Sequence, residues 1–295
     1  MRPLHMALML GICLLWAGNI IAIKESVTAV PPLASVALRY AIMLPVCLPF
    51  VQWVAGLPAD GRPPPRMALV LGSGLLLGGS FGLGALSFHL ATSVSALAIA
   101  GQLGVPFSLL LAVAFAGERI QWRRTLGIVL SFAGVAILVF DPRVFDERLA
   151  LLLTVLAAFL WAASTLLLRR ATGIHVLNLM GWQALASLPL LVLASMVVEP
   201  GGLDRLPAMP LSALGWIVYS GLMSSLVGHA GMAWMLQRYP VSTITPLTLP
   251  TPLLAIVLAT LWYRTPVTLP MLLGAAVTLT GVAIIALRTA RKGAA

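Results

Sequence analysis

Charge is scarce in this chain. Only 9% of its 295 residues are Asp, Glu, Lys or Arg, against about 25% in an ordinary soluble domain. That leaves too little polar surface to stand in water, which excludes a cytosolic enzyme, a secreted domain and a disordered protein. Acid is scarcer still, with eight Asp and Glu against eighteen Lys and Arg. Cysteine is nearly absent. Cys13 and Cys47 both lie in apolar stretches, which suits small core residues better than a disulfide framework or a metal site. No polar stretch is long enough for a soluble domain. Ten membrane-spanning segments of about 20 residues take roughly 200, leaving about 95 for loops and tails.

What is present is apolar. The chain is 60% hydrophobic, with a mean hydropathy of +1.04. Ten apolar segments bounded by charges, Pro or Gly run at roughly 4–23, 33–54, 67–87, 92–115, 121–140, 149–168, 175–197, 210–235, 241–262 and 268–287. Strands of a membrane barrel are about ten residues long and alternate strictly. These segments are longer and do not alternate, so helices are expected. The first segment is a poor cleaved signal peptide, because it is long, is interrupted by Trp16, Gly18 and Asn19, and has no clear small-residue cleavage site before Lys24.

The formal net charge of +10 has two readings, nucleic-acid binding or orientation in a membrane. The positions of the charges decide. With the N-terminus inside, twelve of the eighteen basic residues fall in inside segments, five fall outside, and Arg39 lies within the second helix. The acids lean the other way: Glu25, Asp141, Asp146, Glu147, Glu199 and Asp204 fall outside. The positive-inside rule therefore places both termini in the cytoplasm. No nucleic-acid partner is needed; the lipid bilayer is the partner, and nothing sets an oligomeric state.

The two halves of the chain match. Leu15-Trp16-Ala17 falls on Leu160-Trp161-Ala162 at an offset of 145, and Lys24 then falls on Arg169. Pro45 matches Pro189 at 144, Pro106 matches Pro252 at 146, and Gly127 and Gly134 match Gly274 and Gly281 at 147. Four pairs in one order give repeats at 4–140 and 149–288, each of five helices. Five is odd, so the second repeat enters the membrane in the opposite sense. The expected fold is an all-α integral membrane protein of ten helices in two inverted-topology repeats. Such repeats characterise secondary transporters, with the substrate site near the midplane between halves.

On these residues a family resemblance rests. Leu15-Trp16-Ala17-Gly18-Asn19 with Lys24, Pro31-Pro32-Leu33, Leu38-Arg39-Tyr40, Gly117-Glu118-Arg119-Ile120, Gly127 and Gly134 resemble the EamA family of the drug/metabolite transporter superfamily. Gln237-Arg238-Tyr239-Pro240 and Pro246-Leu247-Thr248 extend the match to roughly 4–288. Within the family the chain is most similar to amino-acid and metabolite exporters. The resemblance implies two five-helix repeats and export of small metabolites or drugs across the plasma membrane, the bacterial inner membrane. The family often repeats Gly-Glu-Arg after its ninth helix; here that region reads Tyr263-Arg264-Thr265-Pro266. Glu118 stands beside Arg119, Arg123 and Arg124, which favours a structural ion-pair cluster over a substrate role.

Ionisable groups inside a membrane are costly and mark function or a buried partner. Arg39 keeps its proton and needs an acceptor. It reads as the anchor of a substrate carboxylate, or as a structural arginine that snorkels outward or bonds helix-end carbonyls. Trp16 and Asn19 share a helix face, where Asn19 suits a zwitterionic substrate or bonds across helices. Trp161 and Thr165 form a similar pair, and the two tryptophans read as opposite cavity walls or as packing. Gln102 and Gln183 lie deep enough to want partners, so both are candidate substrate contacts. His229 is a candidate proton carrier or a packing histidine. Gly74, Gly78 and Gly82 let helices approach closely, and Pro106, Pro246, Pro250 and Pro252 are expected to break or kink the fourth and ninth helices.

The absences bound the mechanism. No Asp or Glu is predicted deep in a helix, no Walker motif is present, and no cluster has metal-ligand spacing. No cofactor is expected. Facilitated diffusion, exchange or proton coupling through a histidine remain. The leading expectation is a secondary carrier exporting amino acids or their derivatives by alternating access. A lipid flippase or a non-transporting scaffold is the alternative. An intramembrane enzyme fits worst, because Cys13, Cys47 and His229 form no recognisable set.

Overall fold

A computed structural model describes residues 3–53, 67–116, 121–141, 144, 146–168, 173–236, 238–239, 244, 247–264 and 267–292. Among these residues ten apolar helices cross the bundle. The first repeat holds α1 (Pro3–Ala29), α2 (Pro32–Cys47, continuing as a 3-10 turn over Leu48–Phe50) and α3 (Met67–Leu90). Its α4 runs as Val94–Ala100, a 3-10 turn Gly101–Leu103 and Gly104–Ala116, and is followed by α5 (Trp122–Val139). The second repeat holds α6 (Arg148–Leu168), α7 (Val176–Val198), α8, α9 (Pro250–Tyr263) and α10 (Leu269–Lys292). Helix α8 is α-helical over Leu211–Val218, a π-helix over Tyr219–Val227, and α-helical again over Gly228–Leu236. Nine of the ten are long and apolar enough to span a membrane, and α9 is shorter.

Two boundaries differ from the sequence pattern. The first segment, expected to end near residue 23, stays helical to Ala29. The charge that suggested an end, Lys24, is satisfied within the bundle by carbonyls of α3. Of the ninth segment, expected from 241, the described helix α9 covers Pro250–Tyr263. A proline has no N–H and its ring clashes with the preceding turn, so it fits the first helical turn. Pro250 and Pro252 therefore open α9 rather than kink it, while Pro246 lies outside the described residues. The fourth helix does break, over Gly101–Leu103. Pro106 supplies the reason, since it leaves the carbonyl four residues earlier, on Gln102, without its helical donor.

The inversion of the repeats is visible in the helix contacts. On α5, a Cβ at Gly127 would lie 2.8 Å from the Gly281 carbonyl of α10. One at Gly134 would lie 2.7 Å from the Gly274 carbonyl. Rising numbers on one helix meet falling numbers on the other, so these equivalent helices run antiparallel. Helices α2 and α7 do likewise: Glu199 meets Leu33 and Ala34, and a Cβ at Gly181 would lie 3.3 Å from that of Cys47. The main packed pairs are α5 with α10, α3 with α6 and α7, α1 with α8 and α9, α2 with α7 and α8, and α4 with α6 and α9. Exchanging each helix for the one five places along returns the same set, the signature of a two-fold axis between inverted halves. Helix α4 also packs on α10, a contact that their mates α9 and α5 do not match among the described residues.

Small residues set the helix distances. Along the α3–α7 seam, Cβ atoms added at Gly74, Gly78 and Gly82 would fall 2.9 Å from the Gln183 Cα, 2.9 Å from the Ser187 Cβ and 3.1 Å from Leu191. Serines at seven-residue spacing stitch α3 to α6. Ser80 Oγ donates to the Ala157 carbonyl at 2.8 Å and Ser87 Oγ to Ala150 at 2.6 Å, while Ser164 Oγ donates to the Ser73 carbonyl at 2.8 Å. Two apolar surfaces gain nothing from water exclusion in lipid, so close packing and such hydrogen bonds hold the bundle.

The α5–α10 crossing generates the first prediction. Gly134→Ala places a methyl against Thr278 and the Gly274 carbonyl, and overpacking of this kind costs about 1–3 kcal/mol. Its thermal unfolding midpoint in detergent should fall clearly below wild type. Gly11→Ala, where nothing lies within 4 Å, should not lower it.

Candidate functional site

A cavity of 380 Å³ lies between α1, α2, α3, α4 and α6, so both repeats build it. This is within the usual size range for small-molecule pockets. Arg39 of α2, Gln102 of α4 and Trp161 of α6 line it together with Phe81, Phe88, Ser80 and Thr154. Three of the sequence-selected residues thus converge. Gln102 gets there through the break in α4, where its Nε2 makes only a long bond of 3.4 Å to the Ala98 carbonyl. Trp161 lies against Gly104, where a Cβ would sit 3.0 Å from the ring. Much of its surface, 41%, stays open.

Arg39 is the focus. It is only 6% exposed, which removes the snorkelling alternative. Its Nη2 donates to Ser225 Oγ of α8 at 2.7 Å, and its guanidinium lies 4.5 Å from the centre of the Phe81 ring. No carboxylate pairs with it among the described residues. A guanidinium offers five N–H donors, and here one protein hydrogen bond and one ring face receive it. A buried cation left this open is expensive unless something else completes it.

The π-helical stretch of α8 builds the far side of Arg39. Ser225 Oγ accepts from Arg39 and donates to the Ser220 carbonyl at 2.9 Å. Gly221 gives room, since a Cβ there would lie 3.1 Å from the Arg39 carbonyl. His229 Nδ1–H donates to the Ser225 carbonyl at 2.8 Å. One serine therefore joins the arginine and the histidine. Mid-helix π stretches often mark functional sites, and nothing in residue type or spacing announces this one.

The remaining candidates do not line the cavity. Trp16 Nε1–H donates to the Ser224 carbonyl at 3.2 Å and its ring lies 5.5 Å from that of His229. It closes the α1–α8 seam, so the two repeat-related tryptophans do different work. Asn19 keeps a buried Oδ1 without a hydrogen-bond partner. Thr165 Oγ1 donates back to the Trp161 carbonyl at 2.9 Å, within its own helix. Gln183 is buried in the α3–α7 seam, with its Nε2 3.4 Å from Ser73 Oγ. At the offset fixed by Pro45 and Pro189, Gln183 is the repeat mate of Arg39. Both reach a serine on the third helix of the opposite half. Glu118 and Arg119 lie outside the described residues.

Above the cavity, at its Phe88 end, α1 and α3 are tied by reciprocal helix-end bonds. Lys24 Nζ donates to the Phe88 and Ala91 carbonyls at 2.8 and 2.6 Å, and His89 Nδ1–H donates to the Val27 carbonyl at 2.7 Å. Positive groups at helix C-termini are favoured by the helix dipole. Carboxylates hold the N-termini at the same end. Glu199 accepts from the Leu33 and Ala34 N–H groups at 2.7 and 3.1 Å. Glu147 accepts from the Thr92 and Ser93 N–H groups at 2.8 and 3.1 Å. The contact of α1 with α3 has no counterpart of similar extent between their mates, α6 and α8, among the described residues. The two-fold symmetry is broken there.

Comparison with known proteins agrees with this architecture. The family model described as the EamA-like transporter family matches residues 4–140 and again 148–287. A protein of Escherichia coli (strain K12) named "Probable amino-acid metabolite efflux pump" is 26% identical over 289 residues, covering 94% of this chain and 93% of its own. A "Probable terminal-alkyne amino-acid exporter" of Streptantibioticus cattleyicolor is 27% identical over 206 residues, 68% of this chain and 66% of its own. One crystal structure superposes with a TM-score of 0.63 over 99% of both chains at 21% identity, a likeness of fold.

If Arg39 served only to hold the bundle, removing it would unfold the protein. Its one side-chain hydrogen bond partner, Ser225, keeps a second partner in Ser220, and no carboxylate is orphaned. Arg39→Met should therefore keep or raise the unfolding midpoint in detergent, since buried charge is often less stabilising than an apolar replacement. A large fall in the midpoint would mark Arg39 as structural.

Proposed function

The chain belongs to the EamA-like transporter family, and we propose that it is a secondary carrier exporting small carboxylate-bearing metabolites, amino-acid derivatives among them, by alternating access. The observation that carries this reading is Arg39. It is a buried cation with no carboxylate partner among the described residues, on the wall of a cavity built by both repeats. A substrate carboxylate completes it with charge-assisted, bidentate hydrogen bonds. The names of the relatives, "Probable amino-acid metabolite efflux pump" and "Probable terminal-alkyne amino-acid exporter", support export of amino-acid-related compounds.

Alternating access draws support from the break in symmetry. In one state α1 and α3 are tied by Lys24 and His89. In the other, α6 and α8 take up the equivalent contact while α1 and α3 part. By the positive-inside rule the Lys24 end, with Glu25, Asp141, Glu147 and Glu199, faces away from the cytoplasm. The tie then closes the outer end, and substrate loads from within the cell across the plasma membrane. A flippase needs a path for an acyl chain continuous with lipid. The compact cavity with one cation fits a small anion better.

Two measurements test the proposal. Reconstituted in liposomes, the protein should move labelled amino-acid metabolites above the protein-free rate. Arg39→Lys should cut that flux about tenfold or more, because an ammonium cannot reproduce the bidentate geometry. No flux for any compound of a broad panel would overturn the reading. For the gate, Gly84→Cys puts a thiol on the cavity wall at a position with open space, in a chain with Cys13 and Cys47 replaced. A membrane-impermeant thiol reagent added outside cells should label it several-fold faster when Lys24→Ala is also present. Equal rates would show that the Lys24 bonds do not hold the outer end closed.

A further inference from the structure

Resting on the carrier reading above, a sharper statement about substrate chemistry follows from the charge inside the cavity. Among the described residues its lining includes one charged residue, Arg39, and no acidic one. The carboxylates of Glu147 and Glu199 are engaged at helix N-termini. That of Glu25 accepts from Trp262 Nε1–H at 3.1 Å, and that of Asp141 from the Thr268 hydroxyl. An α-amino acid at neutral pH brings an ammonium as well as a carboxylate. The carboxylate has its counter-charge here; the ammonium does not. Burying an ammonium without an opposite charge costs several kcal/mol even after relaxation. The neutral Gln102 amide returns only part of that.

We infer that the cavity selects apolar-tailed monocarboxylates whose amino group is absent or blocked as an amide, such as 2-oxo acids and N-acyl amino acids, over free zwitterionic amino acids. The carboxylate binds Arg39, whose guanidinium is already held between Ser225 and the Phe81 ring. The tail packs against Phe88, Leu97 and the open face of Trp161. Gln102 faces the blocked nitrogen, and its neutral amide pairs with an amide N–H or C=O without a charge to balance. Gln102 is then the specificity-determining residue: it accepts a neutral nitrogen group where a carboxylate would accept a charged one.

The test is isothermal titration calorimetry on the purified full chain at neutral pH with three probes of one tail. N-acetyl-L-phenylalanine carries the carboxylate and a blocked nitrogen, L-phenylalanine carries both charges, and phenethylamine carries the ammonium alone. N-acetyl-L-phenylalanine should bind at least about tenfold tighter than L-phenylalanine, given the unpaired ammonium. Phenethylamine should not bind, and Arg39→Met should lose the N-acetyl probe. Gln102→Glu supplies the missing counter-charge and should shift the ratio about tenfold toward L-phenylalanine. L-phenylalanine binding as tightly as the N-acetyl probe, or a ratio unmoved by Gln102→Glu, would overturn the inference while leaving the carrier reading in place. Binding of none of the three would overturn the inference, and absence of liposome flux for the whole panel would sink the carrier reading separately.

Discussion

In hydrocarbon there is no water to satisfy a backbone N–H or C=O, and this constraint organises the molecule. Within each helix the backbone satisfies itself. The difficulty falls on helix ends and breaks, and the few charges are spent there. Glu199 holds two N–H groups opening α2, and Glu147 holds two around the start of α4. Lys24 and His89 hold the closing carbonyls of α3 and α1. Each sign sits at the helix end whose dipole favours it. Glu147 and Glu199 therefore serve as scaffold at one end of the bundle, away from the cavity.

The same constraint explains where the site lies. A break in a spanning helix is tolerated only where it meets protein or a cavity. Pro106 imposes such a break on α4 through Gly101–Leu103, and Gln102 turns into the cavity at that point. On the other side of Arg39, α8 widens into a π-helix, so that Ser225 meets the guanidinium while its carbonyl meets His229. Irregular backbone thus flanks Arg39 from two directions. Regular α-helices at both places would present neither Gln102 nor Ser225 in this way.

Much of this was legible in the residues, for reasons that can be named. Spanning helices declare themselves by length and hydropathy. The inverted repeat shows because Pro, Gly and Trp occupy fixed offsets, and the antiparallel meeting of Gly127 with Gly281 and Gly134 with Gly274 follows from it. Arg39, Gln102 and Trp161 stood out as polar or aromatic groups at unusual depth, and they share one cavity. Depth alone does not say which way a side chain turns. It gave the same weight to Gln183 and Trp16, which seal helix seams instead. The ladder of Ser73, Ser80 and Ser87 had a readable signal, a spacing of two helical turns, yet serine in a membrane helix draws little notice beside charge. The π-helix over Tyr219–Val227 has no such signal in residue type or spacing.

The least expected consequence lies in the pair formed by Arg39 and Gln183. Repeat symmetry makes them equivalent, and each reaches a serine on the third helix of the other half. A carrier built from inverted halves changes sides by letting each half adopt the other's conformation. Small residues that recur at both seams, Gly74 against Gln183 and Gly221 against the Arg39 carbonyl, can exchange places. A cation and an amide cannot. On the proposed carrier reading, an anion meets charge only in the half that holds Arg39, so it stays with α2 while the walls around it exchange. That reading fixes the site at the residue that breaks the symmetry and assigns the motion to the residues that keep it.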